Sequence, residues 1–436
     1  MNGYRVAPLG AAIDAVIDVP GSKSIANRAL FCAALADGES VLSNVPDGDD
    51  TQSMLAALRD LGLEIDVTDE SGADDSDDRS YVGSTVRVVG GRAHYQPGPL
   101  TLHAGLAGTT SRFLTALCAL GKGPYTIDGE PPLRARPMAP LHDALASLGV
   151  RIRTGGAPGH LPVTVEGPFD FSCDEVTMPG NVSSQYLSAL MLVAPYFTDG
   201  LRFMLSTELV SRPYVRMTAS IMEQFGVPGV EVGDRIIIVP HGRYSAQDFV
   251  VEPDASSAGY PLAAAAICGG RARVPGLTKN SIQGDATFCH VLARMGCSVT
   301  QDDKATTVER SGPLRGLAIN MVELSDLVPT LAAVAAFAEG ATEIHGVGFI
   351  RNKESDRLSD LCHELRRAGV DAVDTHDGLI VQPGPVQMAT LATHNDHRLA
   401  MAFALLGLGA SGIVVDEPEV VSKSWPGFWS MIESLR

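Results

Sequence analysis

The sequence lacks the features that mark a membrane protein or a disulfide-rich secreted protein. No apolar run reaches 18 residues without a polar interruption, which argues against a membrane-spanning helix. Residues 1–19 contain no basic segment leading into an apolar stretch, so no signal peptide is expected. The seven cysteines are an odd number and show neither Cys-x-x-Cys pairs nor His/Cys metal spacing. They indicate reduced thiols of a cytoplasmic protein, without disulfides or a metal site.

Positive charge is also scarce. Lys and Arg total 33 against 51 Asp and Glu, which gives a formal net charge of −18 at pH 7. This balance argues against nucleic acid or an anionic membrane as a partner, but it permits a small anionic ligand where basic residues converge. Part of the acidic excess lies in a run at 69–78, which we expect to form a solvated loop.

One pattern does recur six times along the 436 residues: a small or polar start, a helix rich in Ala and Leu, a glycine, and a strand. Because these helices are apolar around most of their circumference, they should be buried. Amphipathic helices at 51–61, 142–148 and 358–368 lie between them. Each unit is therefore predicted to be βαβαβ-like, and three units per lobe predict two similar lobes dividing near residue 250. The buried helices are predicted at 24–35, 109–120, 183–194, 256–267, 326–337 and 396–408.

The starts of these helices carry polar and cationic residues. Helix N-termini present unsatisfied N–H groups and the positive end of the helix dipole, which attract anions. Simple N-capping explains Ser, Thr or Asp at such positions, but it does not require Lys23, Arg28, Arg112 or Arg398. The set therefore predicts a site for phosphate and carboxylate groups.

Three further charged motifs add to this prediction. Arg136 precedes a proline-started helix and could bind a carboxylate through two hydrogen bonds. The segment 353–357 packs four charges into five residues, and 395–398 precedes a very apolar helix whose burial would leave its charges unsolvated. Arg136 and the segment 353–357 could instead be ordinary surface charges. Lys423, near the C-terminus, is a weaker candidate that could likewise lie in a surface turn.

Seven motifs follow one another along essentially the whole chain: PGSKSIANRAL (20–30), AGTTSR (107–112), RPM (136–138), NVSSQYLSAL (181–190), VEPDASSAGYPLAAAA (251–266), KESDRL (353–358) and NDHRLAM (395–401). In this order they resemble the EPSP synthase family of enolpyruvyl transferases. The family fold is α/β, with two pseudo-symmetric lobes of three βαβαββ repeats around buried parallel helices, an inside-out α/β barrel. The resemblance implies a first lobe at 22–251, a second at 1–21 plus 252–436, and an active site in the cleft between them.

The resemblance also implies an activity. The enolpyruvyl group of phosphoenolpyruvate would pass to the 5-hydroxyl of shikimate 3-phosphate through a tetrahedral intermediate, in the shikimate pathway that leads to chorismate and the aromatic amino acids. A cytoplasmic monomer with no cofactor and no metal is expected. Glyphosate would compete with phosphoenolpyruvate beside Gly108, where a side chain would intrude.

Matching motifs imply three sets of site residues. The shikimate 3-phosphate set is Lys23, Ser24, Arg28, Ser183, Ser184, Gln185, Ser211, Tyr214, Asp326 and Lys353. The phosphoenolpyruvate set is Lys23, Gly108, Thr109, Arg112, Arg136, Gln185, Arg357, Arg398 and Lys423. In the catalytic set, Asp326 would be the base toward the hydroxyl and Glu354 the acid/base at C3. Lys23 and His397 would be supporting proton carriers.

The sequence departs from the family pattern at three positions. Leu106 stands where an Asn is common, Phe113 where a Pro is common, and Phe349 where an Asn is usual. The first and third changes remove amide contacts. The degree of glyphosate sensitivity and the tightness of phosphoshikimate binding are therefore left open.

Two alternatives remain at this stage. The sister transferase acting on UDP-N-acetylglucosamine shares the fold but lacks the Ser-Lys-Ser-x-x-Asn-Arg start and uses a cysteine in a flexible loop. Cys118 and Cys173 are predicted here in helix or strand. A non-catalytic binding protein of the same fold is the other alternative, and the joint presence of Lys23, Asp326 and Glu354 with two arginines argues against it.

Overall fold

The computed structural model describes residues 3–68 and 83–436, and the acidic run at 69–78 lies outside them. The described chain divides into two compact units. One unit comprises residues 21–68 and 83–251, and the other comprises residues 3–20 and 252–436. Within the described residues, no helix combines the length and the apolar character that crossing a bilayer demands.

Three buried helices form the interior of the 21–251 unit. They begin within a residue of the predicted starts and run almost entirely out of solvent, because Ala, Leu and other small or apolar residues cover their whole circumference. Three amphipathic helices pack outside them, each burying one face. The buried helices are Lys23–Leu35, Gly108–Cys118 and Ser184–Val193, and the amphipathic ones are Asp49–Asp60, Ala139–Ser147 and Arg212–Gln224. Shorter helical segments are Arg92–His94, Pro131–Arg134 and Ala194–Tyr196.

Each repeat of this unit contributes a four-stranded mixed sheet. In every sheet the first two strands are parallel and the remaining pairings are antiparallel. The first sheet takes its outer strand from the end of the unit, at Asp248–Val250, which closes the set of three repeats. In spatial order the strands are Asp248–Val250, Gly38–Val45, Ser84–Gly90, Glu64–Thr68; Leu100–His103, Tyr125–Asp128, Val163–Glu166, Arg151–Thr154; and Glu175–Met178, Leu201–Leu205, Ile236–Val239, Glu231–Val232.

The unit of residues 3–20 and 252–436 repeats this plan. Its buried helices are Ala255–Cys268, Val328–Ala335 and His397–Gly409, and its outer helices are Phe288–Arg294, Ser359–Arg367 and Phe428–Ser434. Short 3₁₀ segments are Gly284–Thr287, Ser325–Leu327, Gly348–Asn352 and Pro418–Lys423. The helix predicted at 326–337 thus starts as a 3₁₀ turn, and its regular α-helical part carries Pro329 in its first turn.

The sheets of this unit are two four-stranded sheets and one three-stranded sheet. The last sheet departs from the others because its third strand comes from the start of the chain, at Tyr4–Arg5, and pairs antiparallel with Ile413–Val415. In spatial order the strands are Ile13–Val16, Gly270–Pro275, Ala305–Arg310, Ser298–Gln301; Ala318–Asn320, Thr342–His345, Leu379–Gln382, Asp371–Asp374; and Ala389–Leu391, Ile413–Val415, Tyr4–Arg5. The α/β fold with six repeats around buried helices, predicted from the sequence, is confirmed.

None of the seven cysteines forms a disulfide. Cys32, Cys118, Cys268 and Cys289 all lie in helices, which agrees with the prediction made for Cys118, and Cys268 is only half-buried. The prediction for Cys173 is wrong, because this residue lies in a loop before the strand Glu175–Met178. Burial and the neighbouring Asp170 and Asp174 raise the pKa of its thiol, so it does not have the electrostatic setting of an activated nucleophile.

Close packing of strand on helix gives a stability prediction at Gly90. A Cβ at this position would lie 1.9 Å from the Ala33 carbonyl oxygen, a backbone atom that cannot rotate away. We expect Gly90→Ala to lower the free energy of unfolding by about 3 kcal/mol, at the upper end of overpacking effects. The measurement is urea unfolding followed by circular dichroism. The matched control is Gly312→Ala, whose Cβ would meet nothing within 4 Å. Equal stability of the two variants would contradict this packing.

Candidate active site

The start of the first buried helix carries a lysine paired with an acid that the sequence analysis missed. Lys23 is the first residue of Lys23–Leu35, and its Nζ lies 2.9 Å from Oδ2 of Asp50. Asp50 is buried in the first turn of Asp49–Asp60, and its backbone carbonyl accepts a 3.2 Å hydrogen bond from the Thr110 hydroxyl. Asp50 therefore joins the starts of three helices. The sequence signal that could have identified Asp50 is its position as an acidic residue in the first turn of a helix.

Two arginines meet at the start of the second buried helix. A Cβ on Gly108 would lie 2.7 Å from Nη1 of Arg136 and 3.0 Å from Nη1 of Arg112, so both guanidinium groups are adjacent to this helix N-terminus. Arg112 donates to the side-chain oxygen of Gln185 and lies with its Cζ 5.2 Å from the ring centroid of Tyr186. Cations and helix N–H groups in one place suit an anion. We call Lys23, Asp50, Gly108, Arg112, Arg136 and Gln185 the Lys23 cluster.

The serines that precede two further helices of this unit have different roles. The Ser183 hydroxyl caps its helix by accepting a 3.3 Å hydrogen bond from the Gln185 backbone N–H. Ser211 precedes the helix Arg212–Gln224 in a left-handed conformation, with φ at +49°. Non-glycine residues rarely adopt that conformation, so the surrounding structure holds it there. Ser184 is buried, whereas Ser24 and Thr109 are half-buried.

Arg28 is the most enclosed cation of this unit, at 1% exposure. Its guanidinium donates to the Thr218 hydroxyl at 2.7 Å, the Ser24 carbonyl at 2.7 Å, the Ser188 hydroxyl at 3.1 Å and the Tyr214 carbonyl at 3.4 Å. Burial lowers its pKa to about 10, which still leaves it protonated at neutral pH. Arg28 therefore ties the first buried helix to the third and to Arg212–Gln224, in addition to any contact with a ligand.

A second cluster lies in the unit of residues 3–20 and 252–436, around Arg357. This arginine is 1% exposed, and three carboxylates surround its guanidinium. Its Nε lies 2.7 Å from Asp396, its Nη1 3.0 Å from Asp326, and its Nη2 2.7 Å from Glu354. Burial alone would lower the pKa of Arg357, but the charges of Asp396, Glu354 and Asp326 outweigh burial and raise it above its usual range. We call Asp326, Lys353, Glu354, Arg357, Asp396 and Arg398 the Arg357 cluster.

Asp326 is the carboxylate with the most cations around it. Besides Arg357, its Oδ2 lies 2.9 Å from Nη2 of Arg398, and its Oδ1 lies 4.0 Å from Nζ of Lys353. Burial acts to raise the pKa of Asp326, yet these three cations hold it well below its usual range. The carboxylate is therefore ionised at neutral pH.

Asp396 organises the start of the last buried helix. It is fully buried, and it caps His397–Gly409 by accepting a 2.9 Å bond from the Arg398 backbone N–H. It also accepts from Arg357 and, at 3.1 Å, from the Ser355 hydroxyl. His397 is 1% exposed, with Nδ1 3.7 Å from Asp396 Oδ1. Lys423 is buried too, at the end of the 3₁₀ segment Pro418–Lys423.

Asp285 is a buried acid that the sequence analysis did not single out. It follows Gly284 and accepts a hydrogen bond from the Ser256 hydroxyl in the first turn of Ala255–Cys268. Burial, and then the negative charge of Asp326, raise its pKa from 3.8 to about 7. Asp285 and Asp326 are thus neighbouring carboxyls whose pKa values are pushed in opposite directions, a pattern typical of catalytic sites.

The three departures from the family pattern have different surroundings. Leu106 is 43% exposed just before Gly108–Cys118. Phe113 is buried, edge-on to Phe31, with Cζ of Arg28 5.5 Å from its ring centroid. Phe349 packs against the apolar core of its unit. Within residues 3–68 and 83–436, no group of His, Cys, Asp and Glu is arranged to hold a metal ion.

The repeats and the cations at their helix starts define an α/β protein suited to small anionic ligands. Residues 9–432 match the family model described as EPSP synthase (3-phosphoshikimate 1-carboxyvinyltransferase). The chain belongs to the EPSP synthase family, which confirms the resemblance found in the sequence.

Curated relatives from distant organisms carry the same name, 3-phosphoshikimate 1-carboxyvinyltransferase. The protein of Nostoc punctiforme is 39% identical over 431 residues, covering 99% of this chain and 98% of the relative. The protein of Tolumonas auensis is 39% identical over 439 residues, covering 100% of this chain and 99% of the relative. Among solved structures, EPSP synthase from Acinetobacter baumannii shares the fold, with a TM-score of 0.81, 24% identity, and 99% and 98% of the two chains covered.

The raised pKa of Asp285 predicts a pH-dependent stability. Between about pH 4 and pH 7 the folded state keeps a proton on Asp285 that the unfolded state has lost, so this residue makes stability fall as pH rises through that window. Asp285→Asn should remove that contribution, on the order of 3–4 kcal/mol between the two ends of the window. Urea unfolding at pH 4.5 and pH 7.5 measures it.

The matched control is Asp371→Asn, at an exposed position on a strand. Its stability should follow the wild-type pH dependence. Parallel curves for wild type and Asp285→Asn would contradict the raised pKa.

Proposed function

We propose that this chain transfers the enolpyruvyl group of phosphoenolpyruvate to the 5-hydroxyl of shikimate 3-phosphate, releasing phosphate and 5-enolpyruvylshikimate 3-phosphate. Membership of the EPSP synthase family and the names of its relatives support this reaction. The observation that carries it is the pair of clusters at the starts of buried helices, each joining cations to acidic side chains.

The chemistry sets what the site must supply. The 5-hydroxyl oxygen bonds to C2 of phosphoenolpyruvate while its proton passes to a base, and C3 gains a proton to become a methyl group. The tetrahedral intermediate then loses phosphate from C2 and a proton from C3, which leaves the enol ether. Cations must stabilise the phosphate and carboxylate groups, and acid/base groups must reach the hydroxyl and C3.

The resemblance to the EPSP synthase family assigns the binding residues to the two substrates. Arg112 and Arg136 at the Gly108 helix start bind the anionic groups of phosphoenolpyruvate together with Lys23, Thr109, Gln185, Arg357, Arg398 and Lys423. Shikimate 3-phosphate contacts Ser24, Arg28, Ser183, Ser184, Gln185, Ser211, Tyr214, Asp326 and Lys353, with Lys23 shared. Adjacent guanidinium groups and helix N–H donors support the first set.

Asp326 is the base toward the 5-hydroxyl. Without ligand it is ionised, and it is a weak base because Arg398, Lys353 and Arg357 stabilise its charge. When phosphate and carboxylate groups of the substrates bind Lys353 and Arg398, these two cations stabilise the negative charge of Asp326 less. The basicity of Asp326 therefore rises. The base is thus activated by the substrates themselves.

Glu354 exchanges the proton at C3. Its carboxylate is attached to Arg357 at 2.7 Å on one side, and 15% of its side chain remains exposed, so it is both oriented and reachable. Lys23 and His397 support proton movement at their own helix starts. His397 is enclosed beside Asp396, so its role is limited to exchanging protons with groups of the Arg357 cluster.

The rival transferase acting on UDP-N-acetylglucosamine is less well supported. Of Cys118 and Cys173, Cys173 is the one that lies in a loop, and its pKa is raised rather than lowered. We further propose that the protein is a cytoplasmic monomer that binds no nucleic acid and is inhibited by glyphosate.

The deciding experiment is phosphate release with each substrate alone and with both. Release that requires shikimate 3-phosphate together with phosphoenolpyruvate supports the proposal. Release with UDP-N-acetylglucosamine in place of shikimate 3-phosphate would support the sister reaction instead. No release with either acceptor would favour a non-catalytic protein.

The proposed monomeric state is tested separately, by size-exclusion chromatography with light scattering.

Replacement of Glu354 tests its role as an acid/base. Glu354→Gln keeps the shape and a hydrogen bond to Arg357 but cannot carry the proton, so kcat should fall roughly 10²–10⁴-fold, the usual contribution of a positioned general acid. KM values should change only a few-fold. Steady-state phosphate release is the measurement, with Glu343→Gln at an exposed strand position as the control. Matching losses in kcat and affinity would mean that Glu354 positions Arg357.

Replacement of Gly108 tests where phosphoenolpyruvate and glyphosate bind. The added methyl group of Gly108→Ala would lie 2.7 Å from Arg136 Nη1, so the guanidinium must move. The longer glyphosate molecule needs more of that space than phosphoenolpyruvate does. We therefore expect the inhibition constant of glyphosate to rise more than KM for phosphoenolpyruvate, as measured by inhibition kinetics. Wild-type insensitivity to glyphosate, or a larger rise in KM, would contradict this geometry.

A further inference from the structure

A cavity of about 630 Å³ lies at the other end of the buried helices of the 21–251 unit. Leu35 ends Lys23–Leu35, Leu120 follows Gly108–Cys118 by two residues, and Tyr196 ends the 3₁₀ turn after Ser184–Val193, and all three line this cavity. The first helix has 13 residues, so about 18 Å separate the cavity from Lys23. It is therefore distinct from the Lys23 cluster, and its volume falls in the range of small-molecule sites.

Three cations line the cavity with one carboxylate, in a chain whose net charge is −18. Arg92, Lys122 and Arg243 are all exposed, and Asp37 is the acid. Within the described residues, none of the three cations takes part in an ion pair. Their charge is thus available to an anion.

Neutralising the helix ends does not account for these cations. Other groups already bond the last carbonyls: Tyr196 donates to Leu35 at 3.0 Å, Tyr244 donates to Leu192 at 2.8 Å, and the Gly91 N–H donates to Ala34 at 3.0 Å. Because the tyrosine hydroxyls are used in this way, their rings are what remains to contact a ligand.

The rings also hold one of the cations in place. Cζ of Arg92 lies 5.1 Å from the ring centroid of Tyr196 and 5.9 Å from that of Phe171. Stacking on aromatic faces pre-orders a guanidinium for hydrogen bonding to a carboxylate or phosphate. Tyr95 and Tyr244 add buried aromatic lining.

We propose that this cavity binds a small planar anion, an aromatic ring that bears a carboxylate or a phosphate. The ring packs against Tyr95, Tyr196 and Tyr244, and the anionic group accepts hydrogen bonds from Arg92, Lys122 and Arg243. The proposal is independent of the proposed function, because none of these residues belongs to either cluster.

Titration with four probes, followed by ligand-observed NMR, tests the proposal. Benzoate and phenyl phosphate carry both a ring and a charge, acetate lacks the ring, and benzyl alcohol lacks the charge. The titrations use Arg136→Gln as the parent, to weaken competing binding at the Lys23 cluster. We expect saturable binding of benzoate or phenyl phosphate and much weaker binding of acetate and benzyl alcohol. The tighter of the first two identifies the anionic group.

Two variants of that parent locate the bound probe. The combination Arg92→Gln, Lys122→Gln and Arg243→Gln should weaken binding at least about tenfold, because charge-assisted hydrogen bonds are lost. The combination Arg151→Gln, Arg153→Gln and Lys279→Gln removes the same charge from exposed positions elsewhere and should change affinity less than about twofold. Thermal unfolding verifies that both variants are folded. Equal binding by the two variants, or no saturable binding by the parent below about 10 mM, would overturn the proposal.

Discussion

A buried guanidinium must be compensated, and the Arg357 cluster is built on that constraint. The three carboxylates around Arg357 come from the 3₁₀ turn Ser325–Leu327, the loop before Ser359–Arg367 and the cap of His397–Gly409. Removing a partner from a buried ion pair typically costs about 3–5 kcal/mol, so these elements hold one another in place. The same bonds set the ionisation of Asp326 and the orientation of Glu354.

The same compensation suits the reaction. In the free protein, the cations form ion pairs with acidic side chains of the chain itself: Asp50 pairs with Lys23, and Asp326 pairs with Arg398. An anionic substrate offers these cations a second partner. In the proposed mechanism, substrate binding and activation of the base are therefore one event. A phosphate or carboxylate that binds Arg398 or Lys353 would weaken the interactions that keep the pKa of Asp326 low.

The sequence predicted most of the fold because its signals are local. Ala-rich helices and the glycines after them recur within each repeat, and cations at helix starts are visible as neighbours in the chain. The pairing of those cations was not visible, because Lys23 is 27 residues from Asp50 and Arg112 is 73 residues from Gln185. Asp285 was missed for the same reason: its raised pKa comes from burial and from Asp326, and neither is a feature of its own segment.

Proton uptake on ligand binding tests the central claim, that substrate anions displace the carboxylates of the chain from its cations. Calorimetry would use shikimate 3-phosphate with phospholactate, a saturated phosphoenolpyruvate analogue that cannot react, in buffers of different ionisation enthalpy near pH 7. The account predicts net proton uptake in the wild type, from carboxyls whose pKa rises, and a smaller uptake in Asp326→Asn. Binding with no proton exchanged, or with equal uptake in the two proteins, would contradict it.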